Sequence, residues 1–237
     1  MKKLMFIAVT AAFILMDVTA SAQFVQSTGR SSGVSAADAE PVFNTVDVTY
    51  SPVSYTVSAG EDSSNTDMTG ISINWSQARL ITNQLPLYIQ YGAGLQYSWL
   101  TESDSDDYYD VTVTSTTSFL TVKIPVNVAY NFAIPNTAVA VMPYLGLNAN
   151  IHILGQNKYT ASYEGESESS TNNFFNEDDM GDGTYNRFVL GWQVGATVSY
   201  DRYFFGIGYA GPITNLYKEG SFKLNNSQVN ISLGIKF

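Results

Sequence analysis

His152 is the only histidine in the chain, and histidine is the one side chain whose ordinary titration lies near neutral pH. Alternation along 139–154 turns it the same way as Asn148 and Asn150. A base at the rim of a barrel, where substrate arrives, could serve acyl transfer or peptide hydrolysis. Spacing assigns it neither a nucleophile nor an acidic partner, so a hydrogen-bonded interior histidine is the simpler expectation.

Carboxylates offer a second chemistry. Glu61, Asp62 and Asp67 form one cluster, and Glu102, Asp104, Asp106, Asp107 and Asp110 a second. The third holds Glu164, Glu166, Glu168, Glu177, Asp178, Asp179 and Asp182. Grouped carboxylates can share a divalent cation, since Ca²⁺ takes several oxygen ligands. Asp178-x-x-x-Asp182-Gly183 follows a calcium loop only in part, and solvated side chains account for the clusters without an ion. Lys123 and Arg187 point inward in the same alternation, where a lone charge is costly. They should bond to Gln, Asn or Tyr neighbours or to water, in an interior polar set with Gln90, Asn127, Asn148, His152 and Gln193. Gly92-x-Gly94 and Gly206-x-Gly208 lie in extended stretches with no helix after them, so they read as room for bulky neighbours, not phosphate loops. Asn74-Trp75-Ser76, Asn225-Asn226-Ser227 and Asn230-Ile231-Ser232 are read as chance matches to the glycosylation tripeptide. No motif asks for a cofactor.

The elements that position these residues begin after a leader. Lys2 and Lys3 precede an almost wholly apolar run, Leu4 to Met16, and Ala20-Ser21-Ala22 puts small residues before Gln23. That layout is a secretory signal peptide cleaved between Ala22 and Gln23. A membrane helix needs roughly 20 apolar residues, and Asp17 ends this run too early. The expected division is a signal peptide over 1–22, a flexible periplasmic segment over 23–42 and one domain over 43–237. The chain has no cysteine, which excludes a lipoprotein anchor and disulfides. Cleavage removes Lys2, Lys3 and Asp17, leaving 9 basic against 20 acidic residues. Such a balance suits no nucleic acid, whose phosphates demand a basic face.

Beyond residue 42 a period of two recurs. Leu87, Ile89, Tyr91, Ala93, Leu95, Tyr97 and Trp99 alternate with Tyr88, Gln90, Gly92, Gly94, Gln96 and Ser98. The even positions from Leu120 to Phe132 are all apolar or aromatic, and similar runs cover 188–200, 203–210 and 229–237. Residues 139–154 fit less cleanly. Weaker strands around Val46–Val57 and Gly70–Ile81 bring the count to about eight, with a bulge expected near Gln77–Leu80.

Charge placement separates a membrane barrel from a soluble sandwich. Across 86–100, 119–132, 139–154, 186–199, 203–212 and 229–237 the only charged residues are Lys123, Arg187 and Lys236. Charged residues make up 14% of the chain against about 25% ordinarily. Aromatics gather near strand ends, as girdles at two membrane interfaces require. The connections Thr82–Leu85, Ala133–Thr137 and Asp201-Arg202 are short, while 58–68, 101–112, 156–185 and 213–220 are long. Short and long turns alternate as in outer-membrane barrels. The expectation is an all-β, closed, antiparallel, up-and-down transmembrane β-barrel, because lipid leaves no unpaired strand edge.

Four stretches carry a family resemblance: PLYIQYGAGLQYSW (86–99), LTVKIPVNVAYNF (120–132), PYLGLNANIHILG (143–155) and VNISLGIKF (229–237). The chain resembles the Gram-negative outer-membrane β-barrel family that includes PorT-like proteins and small OmpA–OmpX-type barrels. The likeness covers roughly 45–237 and lies in pattern more than in invariant motif. It implies a barrel in the outer membrane, surrounded by lipid and lipopolysaccharide, with both termini in the periplasm. The chain end is similar to the signal read by the barrel-assembly machinery, with Asn230 at its polar position and Ile235 and Phe237 as its last hydrophobic ones. Ser232 stands where glycine is usual.

Three functions follow. The first is a non-enzymatic surface protein whose acidic external loops meet surfaces, partner proteins or divalent cations. The second is a narrow channel or a secretion and transport component, and the third a rim enzyme using His152. All three need the same architecture. On denaturing gels, unheated protein from the outer-membrane fraction should migrate differently from boiled protein. Identical mobility would deny a detergent-resistant closed barrel.

Overall fold

A computed structural model of the chain describes residues 40–59, 62–82, 84–106, 111–163, 166–176, 185–217 and 222–237. The expected signal peptide, with Ala22 and Gln23, lies outside the described residues, as does most of the lead-in segment. The strands are β1 (Val42–Tyr50), β2 (Val53–Ala59), β3 (Asp62–Leu80), β4 (Leu87–Asp106), β5 (Val111–Tyr130), β6 (Phe132–Ala133), β7 (Val139–Tyr163), β8 (Glu166–Asn173), β9 (Phe188–Tyr200), β10 (Tyr203–Pro212) and β11 (Phe222–Lys236).

Neighbours pair antiparallel in the order β1-β11-β10-β9-β7-β5-β4-β3-β2, and β1 also pairs β3 while β2 pairs β11. The ring therefore closes. Among the described residues it has eight staves. β1 and β2 keep one register against both partners, Tyr50↔Ile71 continuing to Val53↔Met68 and Tyr50↔Ile231 to Val53↔Gln228. Pro52, which has no N–H to donate, interrupts the stave without shifting it. β6 continues β5 in the same register on β7, and β8 pairs only β7.

Alternation sets which side chains face out. Ile73, Leu145, Leu147, Leu233 and Ile207 are more than half exposed, while Ser72 and Asn148 on two of the same strands, and Gln96, Asn127 and Gln193 on neighbouring ones, are buried. Outward aromatics form two groups. Phe132, Tyr200, Tyr203 and Phe237 lie near the short turns, and Tyr97, Trp99, Trp192, Tyr209 and Phe188 lie further along the staves toward the long hairpins. Asp201, in the two-residue turn between β9 and β10, has φ 54°; a tight hairpin asks for that left-handed backbone and aspartate tolerates it.

Two expectations are corrected. No bulge occurs at Gln77–Leu80, where β3 runs in unbroken register against β4 from Thr69↔Trp99 to Leu80↔Tyr88. The alternation fails there because Gln77 and Arg79 face outward and bond to one another, Arg79 Nε donating to Gln77 Oε1 at 2.8 Å. The register instead shifts between Leu120 and Thr121, where β7 carries the extra residue Ile153. The second correction concerns the long connections. Much of 58–68, 101–112 and 156–185 is strand, because β4 and β5 stay paired as far as Asp106↔Val111, and β7 and β8 as far as Tyr163↔Glu166.

Candidate functional site

The interior has three levels. Nearest the termini, Phe43, Ala78, Tyr88 and Ala129 pack together, with Leu80, Met142 and Tyr144 against them. Tyr144 reaches across because Gly195 and Gly208 leave it room; a Cβ at Gly195 would stand 2.5 Å from its hydroxyl. Gly208 fits the expected role of admitting a bulky neighbour, whereas Gly94 and Gly206 admit only Asn74 and Ser232.

The middle level is polar, and hydrogen bonds link six staves. Asn150 Nδ2 donates to Asn148 Oδ1 at 2.9 Å, and Asn148 Nδ2 to Gln193 Oε1 at 3.5 Å, the longest link. Gln193 Nε2 donates to Asn127 Oδ1 at 2.6 Å, Asn127 Nδ2 to Gln90 Oε1 at 3.3 Å, and Gln90 Nε2 to Ser76 Oγ at 3.0 Å. Ser76 in turn meets Thr45 Oγ1 at 2.7 Å. Four of the interior residues expected from the sequence, Gln90, Asn127, Asn148 and Gln193, thus belong to one chain of amides.

Lys123 is also interior, 9% exposed, but none of these amides bonds its ammonium. Its electrostatic counterpart is Asp47, a lumenal carboxylate that sequence reasoning missed. The signal was present in the alternation of Val46, Asp47 and Val48, within a strand too weak to orient with assurance. Asp47 Oδ1 accepts from Thr49 Oγ1 at 2.6 Å and Asn74 Nδ2 at 2.7 Å. Among the described residues the only direct ion pair is Lys236 with Glu40, 2.8 Å apart, so Asp47 and Lys123 face each other without touching. Between them lies a cavity of about 160 Å³.

At the level toward the long hairpins an apolar plug fills the ring. Val53, Tyr55, Met68, Phe119, Val189, Leu216 and Leu224 are buried together, with Leu100, Phe174, Phe175, Tyr185 and Tyr217 against them. Phe174 stands 5.4 Å from Phe119 and 4.9 Å from Tyr185, ring centre to ring centre. Burial among these rings raises the Tyr185 phenol above its ordinary pKa, and Tyr217 adds to the effect. Backbone bonds hold the infolded segments, Asn186 N to Leu216 O at 2.6 Å and Leu216 N to Leu224 O at 2.9 Å. A Cβ on Gly155 would stand 2.7 Å from Phe175 and 2.8 Å from Phe119, so this glycine lets the plug seat. Phe174-Phe175 and Leu216-Tyr217, apolar pairs in polar surroundings, are the sequence signal for it.

His152 lies beneath the plug, 2% exposed. Its Nδ1 is 2.8 Å from Thr121 Oγ1, and its buried Nε2 has no partner among the described residues. Phe119 and Phe175 pack on the ring. It is not the accessible rim base considered from sequence. Arg187 is corrected too: it is exposed, lies 4.4 Å over the Phe175 ring and donates to the Ile153 carbonyl at 3.0 Å. It falls just outside β9, where alternation no longer governs direction. Asn230 faces the lumen and accepts from Ser51 Oγ at 2.8 Å, whereas Ile235 and Phe237 face outward. Phe237 exchanges backbone bonds with Asn44. No cluster of three or more metal-ligating side chains occurs among the described residues. Glu61, Asp107, Asp110, Glu164, Glu177, Asp178, Asp179 and Asp182 lie outside them.

Beyond the plug, the upper parts of β4, β5, β7 and β8 form a sheet with two unlike faces. One is lined mostly by hydroxyls: a row of Ser103, Thr114, Thr160 and Ser169, then Thr101, Thr116 and Thr171 with Lys158 among them. On the other, the row Asp104, Val113, Ala161 and Glu168 runs from acid to acid across an apolar middle. Tyr159, Tyr163 and Val113 on that face are 44%, 53% and 41% exposed, and Glu102 and Glu166 stand at its edges.

Fold and site together define a small closed antiparallel β-barrel with a polar lumen capped at one end. No protein-family model matches the chain, and no curated protein does. It is similar in structure to Ail, the attachment invasion locus protein of Yersinia pestis, in complex with the heparin analogue sucrose octasulfate. Identity is 10% and the TM-score 0.42, over 84% of this chain and 100% of that one. Neisserial surface protein A gives 15% and 0.37 over 84% and 98%. The outer membrane protein OprG from Pseudomonas aeruginosa gives 10% and 0.37 over 86% and 99%.

The two lumenal charges, which line one cavity, should depend on each other. Asp47→Ala should destabilise the barrel by about 1–3 kcal/mol, since it leaves Thr49 and Asn74 without their acceptor and buried Lys123 without the carboxylate across the cavity. Replacing both, Asp47→Asn with Lys123→Met, should recover most of that loss. Urea unfolding in lipid vesicles reads both effects, and a double variant no better than the single would mean the charges act independently.

Proposed function

We propose that the chain is an outer-membrane β-barrel that displays a binding sheet at the cell surface and neither conducts nor catalyses. The outward belt supports the membrane reading. Contiguous exposed apolar surface beyond a few hundred Å² marks contact with lipid or a partner, and here it encircles the ring between two groups of aromatics. Lipid and lipopolysaccharide cover it, the termini and short turns lie in the periplasm, and the assembly machinery reads the end bearing Asn230, Ile235 and Phe237. A PorT-like secretion role is a narrower reading of the same barrel. The plug argues against a channel, since an interior of about eight strands is already just wide enough for side chains to fill. Burial of His152 argues against a rim enzyme.

The observation that carries display is the acid–apolar–acid row on the protruding sheet. Acids at the edges discourage edge-to-edge pairing. They also flank exposed tyrosines, a combination that fits a partner presenting basic groups around an apolar anchor, and the same acids can attract divalent cations. A deletion that trims this sheet has to spare Phe174 and Phe175, which belong to the plug. Barrels in lipid vesicles should bind a lysine- and phenylalanine-containing peptide in a salt-sensitive manner. Joining Thr160 to Ser169 by a two-residue turn, or neutralising Glu102, Asp104, Glu166 and Glu168 together, should weaken that binding about tenfold or more. Unaltered affinity in both variants rejects display by this face.

A further inference from the structure

We infer that the lumenal cavity is a binding site for a small zwitterion of the α-amino acid class, reached from the end that carries the termini. The cavity is closed toward the long hairpins by the plug, while its lining continues to Asn131, Ser199 and Lys236 near the short turns. There the Lys236 ammonium, tied to Glu40 and 5.0 Å over the Phe43 ring, bounds the mouth. The space is thus a cup and not a path.

Its unpaired groups define what it would hold. The Lys123 ammonium is nine-tenths buried, lines the cavity and has no hydrogen-bond partner among the described residues. The Tyr144 hydroxyl lines it too and likewise has none there. Asp47 uses only Oδ1 toward Thr49 and Asn74, which leaves Oδ2 as an acceptor. Gln90, Asn127 and Gln193, by contrast, are engaged in the amide chain. An anion alone would be repelled by Asp47 and a cation alone by Lys123. A solute with both charges answers both: its carboxylate takes Lys123 and Tyr144 as donors, and its ammonium donates to Asp47. Charge-assisted bonds of this kind are the stronger sort.

Size narrows the class. About 160 Å³ is well above the roughly 10–15 Å³ that one water needs. It is below the roughly 300 Å³ at which drug-sized pockets begin. An amino acid fits between these limits, whereas an oligosaccharide or lipid would have to project through the mouth. The site is independent of whatever the outer sheet binds.

Saturation-transfer NMR on the full-length barrel in lipid discs, titrated with glycine, alanine and serine, tests the assignment, with acetate and methylammonium as half-ligands. At least one amino acid should bind saturably, and each half-ligand at least tenfold more weakly. Tyr144→Phe should weaken binding about tenfold, the usual effect of removing one donor to a charged group. Asp47→Asn with Lys123→Met should abolish it while the barrel stays folded by gel mobility. Absence of saturable amino-acid binding overturns the inference. So does acetate binding as tightly as glycine, or binding that survives the double variant in folded protein.

Discussion

The structure depends on one constraint: every backbone N–H and C=O facing the outward belt must find its partner within the sheet. Outside the ring stand mainly isoleucine, leucine, valine and phenylalanine side chains, which offer no hydrogen bonds, with tyrosine and tryptophan grouped toward its two margins. Each buried unsatisfied group in such surroundings costs several kcal/mol. An open sheet would leave two edges in that condition. β1 prevents it by pairing with β11 on one side and β3 on the other, and β2 extends both ladders past Pro52. Closure explains why a chain without cysteine needs no covalent staple.

Closure turns the sheet inside out relative to a soluble protein, so the lumen must accommodate polar side chains. It does so by letting amides satisfy one another across six staves, and by keeping a carboxylate and an ammonium on opposite walls. The apolar residues that do face inward are concentrated at the two ends. At the end toward the long hairpins they form a plug from segments that fold back into the mouth. Burying a phenylalanine contributes about 1.5–3 kcal/mol, so Phe174 and Phe175, packed with Phe119 of β5, add to the backbone bonds of Phe174, Asn186 and Leu216 in holding these segments down. The hairpins of β4, β5, β7 and β8 rise beyond, where both faces meet water and apolar alternation gives way to serine, threonine and acids.

Much of the barrel was legible from residues 87–99, 120–132, 188–200, 203–210 and 229–237, because one face of each must be apolar and period two is then unmistakable. Inward placement of Gln90, Asn127, Asn148 and Gln193 follows from the same rule. The rule fails where its cause is absent. Above the belt both faces are wet, so the upper halves of β4, β5 and β7 carry no apolar alternation and read as loops. Arg187, one residue before β9, escapes the parity of its strand and stacks on Phe175. Asp47 lay in a stave whose outward residues include Asn44 and Pro52, so its direction was obscure. The partnership of Asp47 with Lys123 joins staves that are not neighbours in the ring, which no local pattern can encode.

The central claim is that the outward faces of the staves meet hydrocarbon. Because the chain has no cysteine, single cysteines can carry a fluorescent probe at chosen positions. In vesicles of brominated lipid, probes at Leu145, Leu147 and Leu233 should be strongly quenched from within the bilayer and untouched by aqueous iodide. Probes at Asn127 and Asn148 should escape the brominated chains. Quenching of the leucine positions by iodide, with no effect of bromine, would contradict the account and place those faces in water or against another protein.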